Sequence, residues 1–280
     1  MKEESFFRRL TKSLLRIAAV VAIVILLAAV AGCCFMDEIL FPRPHPGART
    51  GNLTLHAGEA VLDAYWQPGR PDKPVVLYSH GNGETLATIR SLLAGFSERG
   101  YGVLAYDYAG YGGSTGKAGE KQAYLDIEAA YRYLREDQGI PADRILAAGF
   151  SVGGGPSCYL AEKYPLRGLV LCAPFASAVR VVLPFSIPGD RFPNVERLSR
   201  RAMPLLLFHG TADRIIPYRN GKLIAAKARG PVRFITAEDA DHNDLYDKLG
   251  SLFWSEFDRF AADPAANWTA PPPIRPVGAR

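Results

Sequence analysis

Three side chains that together could activate a serine for attack on a carbonyl carbon occur in the order Ser151, Asp213 and His242. A serine hydroxyl is a weak nucleophile at neutral pH, so it needs an adjacent base, and that base needs a group that orients it. Ser151 lies in the segment GFSVG of residues 149–153, which matches the pattern G-x-S-x-G. We predict Ser151 as the nucleophile, His242 as the base and Asp213 as the carboxylate that orients His242.

The surroundings of this pattern carry more weight than the pattern itself. An apolar strand is predicted over residues 145–149 and a helix over residues 152–164. A sharp strand-to-helix turn would lift the Ser151 hydroxyl above the sheet, and the flanking glycines would keep side chains out of the strained backbone. The helix N-terminus would place a partial positive charge near the developing oxyanion.

Asp213 and His242 are each predicted on a loop just after a strand. The strands cover residues 205–209 and 232–235, and active sites of open α/β sheets collect at the carboxyl ends of such strands. The alternative for Asp213 is a turn or helix-capping carboxylate. Asp239, Asp241 and Asp244 are interpreted as solvated loop charges, and His209 as a partner of the adjacent loop.

The segment HGNG of residues 80–83 follows a buried strand over residues 75–78. Acyl transfer needs two amide N–H groups that are directed at the oxyanion of the tetrahedral intermediate. We predict the amides of Asn82 and Val152 for this oxyanion hole. The alternative for residues 80–83 is a tight turn without a catalytic part.

The rest of the chain alternates apolar strands with helices, which predicts a mostly parallel sheet that is covered on both faces. With 48% hydrophobic and 22% charged residues, the composition is that of a globular protein. We place one α/β domain over residues 51–262. A short cap that is apolar in its first half spans about residues 175–203, and residues 263–280 form a Pro-rich tail.

The N-terminal residues 1–36 are predicted to be a membrane anchor or a lipoprotein signal segment, followed by a linker over residues 37–50. Residues 17–36 carry no charge, and twenty apolar residues match the thickness of the bilayer core. The preceding flank is basic, so the catalytic domain is expected on the extracytoplasmic, periplasmic side. Either the helix stays uncleaved, or the segment VAGC of residues 30–33 acts as a lipobox and Cys33 receives lipid.

The net charge of +5 gives little reason to expect a nucleic-acid partner. Residues 1–32 account for three of these charges, and no Lys/Arg run occurs in the folded part. The four cysteines have no metal-type spacing, and Cys158 and Cys172 are predicted to be buried apolar residues. We predict no metal site and no nucleic-acid binding.

Five segments in the correct order resemble the α/β-hydrolase superfamily. They are HGN at 80–82, YDYAGYGGS at 106–114, GFSVG at 149–153, HG at 209–210 together with Asp213, and HND at 242–244. Within this superfamily, the chain resembles the membrane-associated hydrolases that are similar to acyl-protein thioesterases, or depalmitoylases. The resemblance implies an eight-stranded, mostly parallel sheet flanked by helices, and neither a metal nor an organic cofactor.

The predicted activity is hydrolysis of a carboxylic ester or thioester, because a short apolar cap suits a lipid-like acyl chain. One alternative is a serine aminopeptidase, which would need an acid such as Asp190 or Glu196 to hold the substrate ammonium group. Another is a binding module on the same fold that has no catalytic activity. The physiological substrate and the oligomeric state stay open.

Overall fold

The computed structural model describes residues 13–14, 16–17, 19–20, 35–42 and 47–266. Most of the predicted membrane segment, the candidate lipid-attachment residue Cys33 and most of the Pro-rich tail lie outside the described residues. Within the part that is described, no helix reaches the length and apolarity that crossing a membrane requires.

Eight strands form one sheet. Their bounds are β1 Leu53–Ala57, β2 Ala60–Gln67, β3 Val75–Ser79, β4 Gly102–Tyr106, β5 Ile145–Phe150, β6 Gly168–Cys172, β7 Leu205–Gly210 and β8 Val232–Ala237. The strand order is β1-β2-β4-β3-β5-β6-β7-β8. Strand β2 is antiparallel to β1 and to β4, and the other neighbours are parallel. The predicted eight-stranded, mostly parallel sheet is confirmed.

Helices cover both faces of this sheet, as expected for parallel strands without alternating polar residues. Their bounds are α1 Met36–Leu40, α2 Arg90–Glu98, α3 Glu120–Arg132, α4 Gly154–Lys163, α5 Asn194–Arg200, α6 Arg219–Lys227, α7 Leu245–Leu249 and α8 Ser251–Ala262. Successive residues of β3 point into different cores. Leu77 packs in a core with α3 and α4, and Val76 packs in a core with α2 and α8.

Two predicted helices differ from the observed ones. The helix predicted from Glu84 begins only at Arg90, because the Leu86 amide donates to the Asp107 carboxylate at 2.7 Å and holds the segment at the sheet edge. The long helix predicted over residues 120–138 is α-helical only to Arg132, and a π-helical turn follows over Tyr133–Asp137. Helices α5 and α7 were not predicted from the sequence.

Part of the predicted linker is structured and lies against the domain. Helix α1 is followed by Phe41, which is 3% exposed and whose ring centroid lies 5.5 Å from that of Tyr108 and 6.0 Å from that of Phe192. Asp37 of α1 pairs with Arg191, with 3.1 Å between Oδ1 and Nε. Residues 36–41 therefore belong to the folded unit.

The predicted cap contains a 3₁₀ turn over Val179–Val181 and helix α5. Asp190 fastens its first half, because this carboxylate accepts hydrogen bonds from the Ser177 hydroxyl at 2.6 Å and from the Val179 amide at 2.9 Å. The apolar first half of the cap is thereby held as a wall.

Candidate active site

Ser151 occupies a strained turn between β5 and α4. Its φ is 54°, a conformation that residues other than glycine rarely adopt. A Cβ atom at Gly149 would lie 2.3 Å from the Gly153 carbonyl oxygen, and one at Gly153 would lie 2.1 Å from the Ser79 carbonyl oxygen. Both flanking positions therefore require glycine, as expected for a turn that lifts a serine above the sheet.

The structure brings the three predicted catalytic side chains together. His242 Nε2 lies 2.9 Å from Ser151 Oγ, and His242 Nδ1 lies 2.8 Å from Asp213 Oδ2. Ser151 follows β5, Asp213 lies on the loop after β7, and His242 lies on the loop after β8, so all three stand at the carboxyl edge of the sheet. This arrangement can move a proton from the serine to the imidazole.

The Asp213 carboxylate is held in its charged form. Burial by itself raises its pKa, but hydrogen bonds from His209 and His242, the charge on His242 and the Ile216 amide together hold the pKa well below the ordinary value of 3.8. His209 Nε2 also lies 2.9 Å from the Ile216 carbonyl oxygen. The predicted contact of His209 with the adjacent loop is therefore present.

This lowered pKa predicts a specific loss of stability in acid. A carboxyl group whose folded-state pKa is depressed stabilises the fold above its unfolded pKa of 3.8, and this contribution is lost as the pH falls through the lower folded pKa. We expect the free energy of unfolding to fall more steeply for the wild type than for Asp213→Asn between about pH 4 and pH 2. Urea denaturation across that range measures both slopes, and equal slopes would contradict the prediction.

A second link joins the loops that carry the triad. Asp241 accepts hydrogen bonds from the Arg214 amide at 3.0 Å, from Arg214 Nε at 2.7 Å and from the His242 amide at 2.8 Å. These bonds lower the pKa of Asp241 to about 2. Asp244 in turn accepts from the Asp241 amide at 2.7 Å. Asp241 and Asp244, interpreted as solvated charges, instead hold the His242 loop.

The predicted oxyanion residues Asn82 and Val152 line the same cleft as Ser151. The loop that carries Asn82 is supported from β4 and the residues after it. Tyr108 donates its hydroxyl to the His80 carbonyl oxygen at 2.8 Å. The YDYAGYGGS segment of residues 106–114 therefore supports the HGNG loop through this hydrogen bond.

An apolar cleft of about 530 Å³ opens beside Ser151. Its walls come from α1, from the first half of the cap and from the loop after β7. The residues that line it are Met36, Ile39, Leu40, Asn82, Ser151, Val152, Phe175, Ala178, Val179, Val181, Val182, Leu183, Ile187, Ile215 and Ile216. Its volume falls within the roughly 300–1,000 Å³ of small-molecule sites.

A smaller pocket of about 210 Å³ also opens at the nucleophile. It shares Asn82, Ser151 and Ile215 with the apolar cleft, and its remaining lining is more polar, with Glu84 and His242 among the residues. Ser151 therefore stands where an apolar and a polar compartment meet. Such a pair of compartments can hold the two halves of a substrate whose scissile bond lies at Ser151.

Among the described residues, no group of three or more His, Cys, Asp or Glu side chains is placed to hold a metal ion. Cys158 and Cys172 are free and buried, as predicted, and burial raises the pKa of the Cys172 thiol to about 12.

The chain is similar to known proteins along most of its length. Residues 70–187 match the family described as serine aminopeptidase, S33. Alpha/beta hydrolase domain-containing protein 17B of Xenopus laevis is 34% identical over 199 residues, which cover 70% of this chain and 68% of that protein. The chain belongs to the α/β-hydrolase superfamily. The predicted superfamily is therefore confirmed.

Alpha/beta hydrolase domain-containing protein 17B of Homo sapiens is 37% identical to this chain over 177 residues. The match spans 62% of each of the two chains. The match therefore spans less than two thirds of the length of that relative.

Solved structures share the fold. Est1E from Butyrivibrio proteoclasticus, seen with ferulic acid, has a TM-score of 0.62 and 18% identity and covers 75% of this chain and 98% of its own. The esterase Pf2001 of Pyrococcus furiosus has a TM-score of 0.65 and 19% identity and covers 77% of this chain and 98% of its own. At these identities the likeness concerns the α/β-hydrolase fold.

Three features of the site were not found from the sequence. Helix α1 forms a wall of the cleft, Ile215 stands between the two compartments, and Glu84 lines the polar one. The signal for Ile215 was its position two residues after Asp213, on a loop already assigned to the site. The Glu84 carboxylate accepts the Gly81 amide at 2.6 Å, so it lies at the HGNG loop.

Proposed function

We propose that this α/β-hydrolase cleaves carboxylic esters or thioesters through an acyl-Ser151 intermediate. The observation that carries the proposal is the chain of contacts from Asp213 through His242 to Ser151, at 2.8 Å and 2.9 Å, with Ser151 lining an apolar cleft. Contacts of this length allow the proton transfer that makes a serine nucleophilic.

The reaction has two halves. His242 Nε2 accepts the Ser151 proton while Oγ forms a bond to the substrate carbonyl carbon, and the amides of Asn82 and Val152 stabilise the resulting oxyanion. The imidazolium then donates its proton to the leaving alcohol or thiol as that bond breaks. In the second half His242 takes a proton from water, the hydroxide attacks the acyl carbon, and Ser151 recovers its proton as the acid leaves.

Asp213 has a defined part in both halves. Its carboxylate, held in the charged form, fixes the proton on His242 Nδ1 and stabilises the imidazolium that forms in each half. The two backbone amides of Ile215 and Ile216 donate to the other carboxylate oxygen, at 3.0 Å and 2.7 Å, and fix its orientation. Asp213 therefore acts by orientation and charge without giving up a proton.

The substrate class follows from the two compartments. An acyl chain suits the apolar cleft, whose lining is aliphatic apart from Phe175 and the groups at Ser151. The alcohol or thiol suits the smaller pocket beside His242, which must protonate it. The resemblance to acyl-protein thioesterases favours a lipid-like acyl group.

We expect catalytic efficiency with nitrophenyl esters to rise from acetyl to hexanoyl or octanoyl. Each buried methylene contributes about 0.8 kcal/mol, or about fourfold in affinity, until the chain outgrows the cleft. The measurement is kcat/KM across a series of acyl lengths, with the octanoyl thioester alongside. A series that is flat or falls from acetyl onward would contradict an acyl-binding cleft.

A serine aminopeptidase is the second candidate, and the match of residues 70–187 to the serine aminopeptidase family favours it. The acids first considered are engaged elsewhere: Asp190 accepts hydrogen bonds within the cap, and Glu196 pairs with Arg180. Glu84 is the carboxylate at the site that could hold an ammonium group. If aminoacyl amides outrun every ester about tenfold or more, and Glu84→Gln abolishes this preference, the peptidase replaces the esterase.

A binding module without activity is the third candidate. It would leave esters, thioesters and aminoacyl amides unchanged under all conditions. The contacts of Ser151 and Asp213 with His242 favour a catalyst instead, because a binding surface has no use for a serine that is hydrogen-bonded to an oriented imidazole.

We also propose that residues 1–36 attach the enzyme to a membrane with the hydrolase domain on the extracytoplasmic side. The uncharged run of residues 17–36 and its basic flank support this placement. Intact mass of the purified protein separates the two forms. A chain that starts at Cys33 with added lipid indicates a lipoprotein, a full-length chain indicates an uncleaved anchor, and a chain cleaved past Cys33 without lipid would contradict both.

A further inference from the structure

The exposed large apolar side chains of the domain are concentrated at one place. Residues 35–42 and 47–266 contain seven of them, and six belong to the segments that line the apolar cleft. We name these six the apolar rim: Phe35, Ile39, Val182, Leu183, Phe185 and Ile215. The seventh, Leu125, lies on α3. Single exposed apolar residues are common, whereas a contiguous group around an opening indicates a surface that is covered in use.

The rim is built from three separate segments that the fold holds together. Four of its residues line the cleft, Phe35 directly precedes the lining residue Met36, and Phe185 lies in the chain between the lining residues Leu183 and Ile187. Val182 is 79% exposed and Phe185 is 55% exposed. Helix α1, which carries Ile39, is fixed to the domain by the buried Phe41. The rim is therefore a preformed surface.

The path of the chain indicates what covers the rim. The uncharged run of residues 17–36 leads directly into α1, so the segment with the composition of a bilayer span ends at the rim. Basic side chains lie next to the apolar ones. Arg219 donates to the Val181 carbonyl oxygen at 2.7 Å, and Arg214, whose side chain is 85% exposed, precedes Ile215. Apolar side chains flanked by arginines are typical of surfaces that lie in the bilayer interface.

We infer that the apolar rim docks into the surface of a lipid bilayer, with the cleft open toward the hydrocarbon. This inference rests on the proposed function in one respect, which is that an acyl chain is the group that enters the cleft. An acyl chain that is embedded in the bilayer then reaches Ser151 without crossing water. Docking also removes six apolar side chains from water and buries them among lipid, which is favourable in free energy.

Fluorescence quenching tests the docking without reference to catalysis. The full chain is reconstituted in phosphatidylcholine–phosphatidylglycerol vesicles whose acyl chains are brominated, as the wild type, Phe185→Trp and Leu125→Trp. We expect the brominated lipid to quench the additional tryptophan fluorescence of Phe185→Trp, measured over the wild-type background, and to leave that of Leu125→Trp unquenched. Equal quenching of the two variants, or none of either, would overturn the inference.

Hydrolysis tests the consequence for substrate delivery. The double variant Phe35→Ser/Phe185→Ser alters rim residues that do not line the cleft. We expect kcat/KM for a long-chain ester carried in vesicles to fall by about tenfold, since burial of a Phe side chain in an apolar phase changes partition by at least that factor. A water-soluble butyryl ester and Leu125→Ser serve as controls, and both should keep wild-type rates.

The outcomes separate the docking from the proposed function. If the wild type hydrolyses neither ester while Phe185→Trp is still quenched, the function fails and the docking stands. If the soluble and the vesicle-borne ester lose activity equally in the double variant, the rim does not deliver substrate. A rim that instead pairs two copies of this chain would give a dimer in detergent that Phe185→Ser dissociates, together with no quenching, and this would overturn the inference.

Discussion

Ser151→Ala and His242→Ala will each lower kcat/KM for a nitrophenyl octanoate ester by at least about 10⁴-fold, because triad members act as a unit around one proton transfer. Ser151→Ala removes the atom that bonds to the acyl carbon. His242→Ala leaves the hydroxyl without its 2.9 Å base. Asp213→Asn should retain more activity than either, since it disturbs the orientation and charge of His242 and leaves the base in place. Initial rates under matched enzyme concentrations measure all three.

The controls for these variants are residues of the same type elsewhere in the fold. The matched control variants are Ser255→Ala and His56→Ala. The Ser255 hydroxyl donates to the Leu252 carbonyl oxygen on α8, and His56 is exposed on β1. Both controls should hydrolyse the ester at wild-type rates. Activity within about threefold of wild type in Ser151→Ala would contradict Ser151 as the nucleophile, because an enzyme that has lost its nucleophile cannot form the acyl intermediate.

Gly153→Ala will lower kcat/KM by about 100-fold or more, since a displacement of the nucleophile by about 1 Å is enough for a loss of that size. The new Cβ would lie 2.1 Å from the Ser79 carbonyl oxygen and 2.8 Å from that of His80. Both are backbone atoms that a side-chain rotation cannot relieve. The turn must therefore shift, and Ser151 and the HGNG loop must shift with it.

The neighbouring position provides a matched control. A Cβ at Gly154 would meet the Pro174 Cβ at 3.4 Å, which is an ordinary contact, so Gly154→Ala should keep most of the activity. Circular dichroism and thermal unfolding of both variants report whether the fold survives. A folded Gly153→Ala with wild-type kcat would mean that the turn does not position the nucleophile as described.

Local sequence was enough to predict the turn at Ser151 and the sheet around it. The glycines at 149 and 153 and the flanking apolar strand and helix are encoded within about twenty residues, so their geometry depends little on the rest of the chain. Asp213 and His242 could be placed at the same edge because parallel strands bring their carboxyl ends together. Their contact distances followed only from the folded loops.

The remaining features depend on contacts between distant segments. Helix α1 begins at the last residue of the uncharged run and carries Asp37 and Glu38, and its docking depends on Arg191 and Phe192, far along the chain. The late start of α2 depends on Asp107, which captures the Leu86 amide from the end of β4. A hydrogen bond from a distant carboxylate does not alter the spacing of apolar residues. The start of α2 predicted from that spacing was therefore too early.

The acyl-Ser151 intermediate is tested most directly by mapping a covalent adduct. The purified full chain is treated with a fluorophosphonate, digested and analysed by mass spectrometry, beside His242→Ala and Ser151→Ala. We predict one adduct, on the peptide that contains Ser151, formed rapidly by the wild type, much more slowly by His242→Ala and not at all by Ser151→Ala. An adduct on a different residue, or labelling that persists in Ser151→Ala, would contradict Ser151 as the nucleophile of this hydrolase.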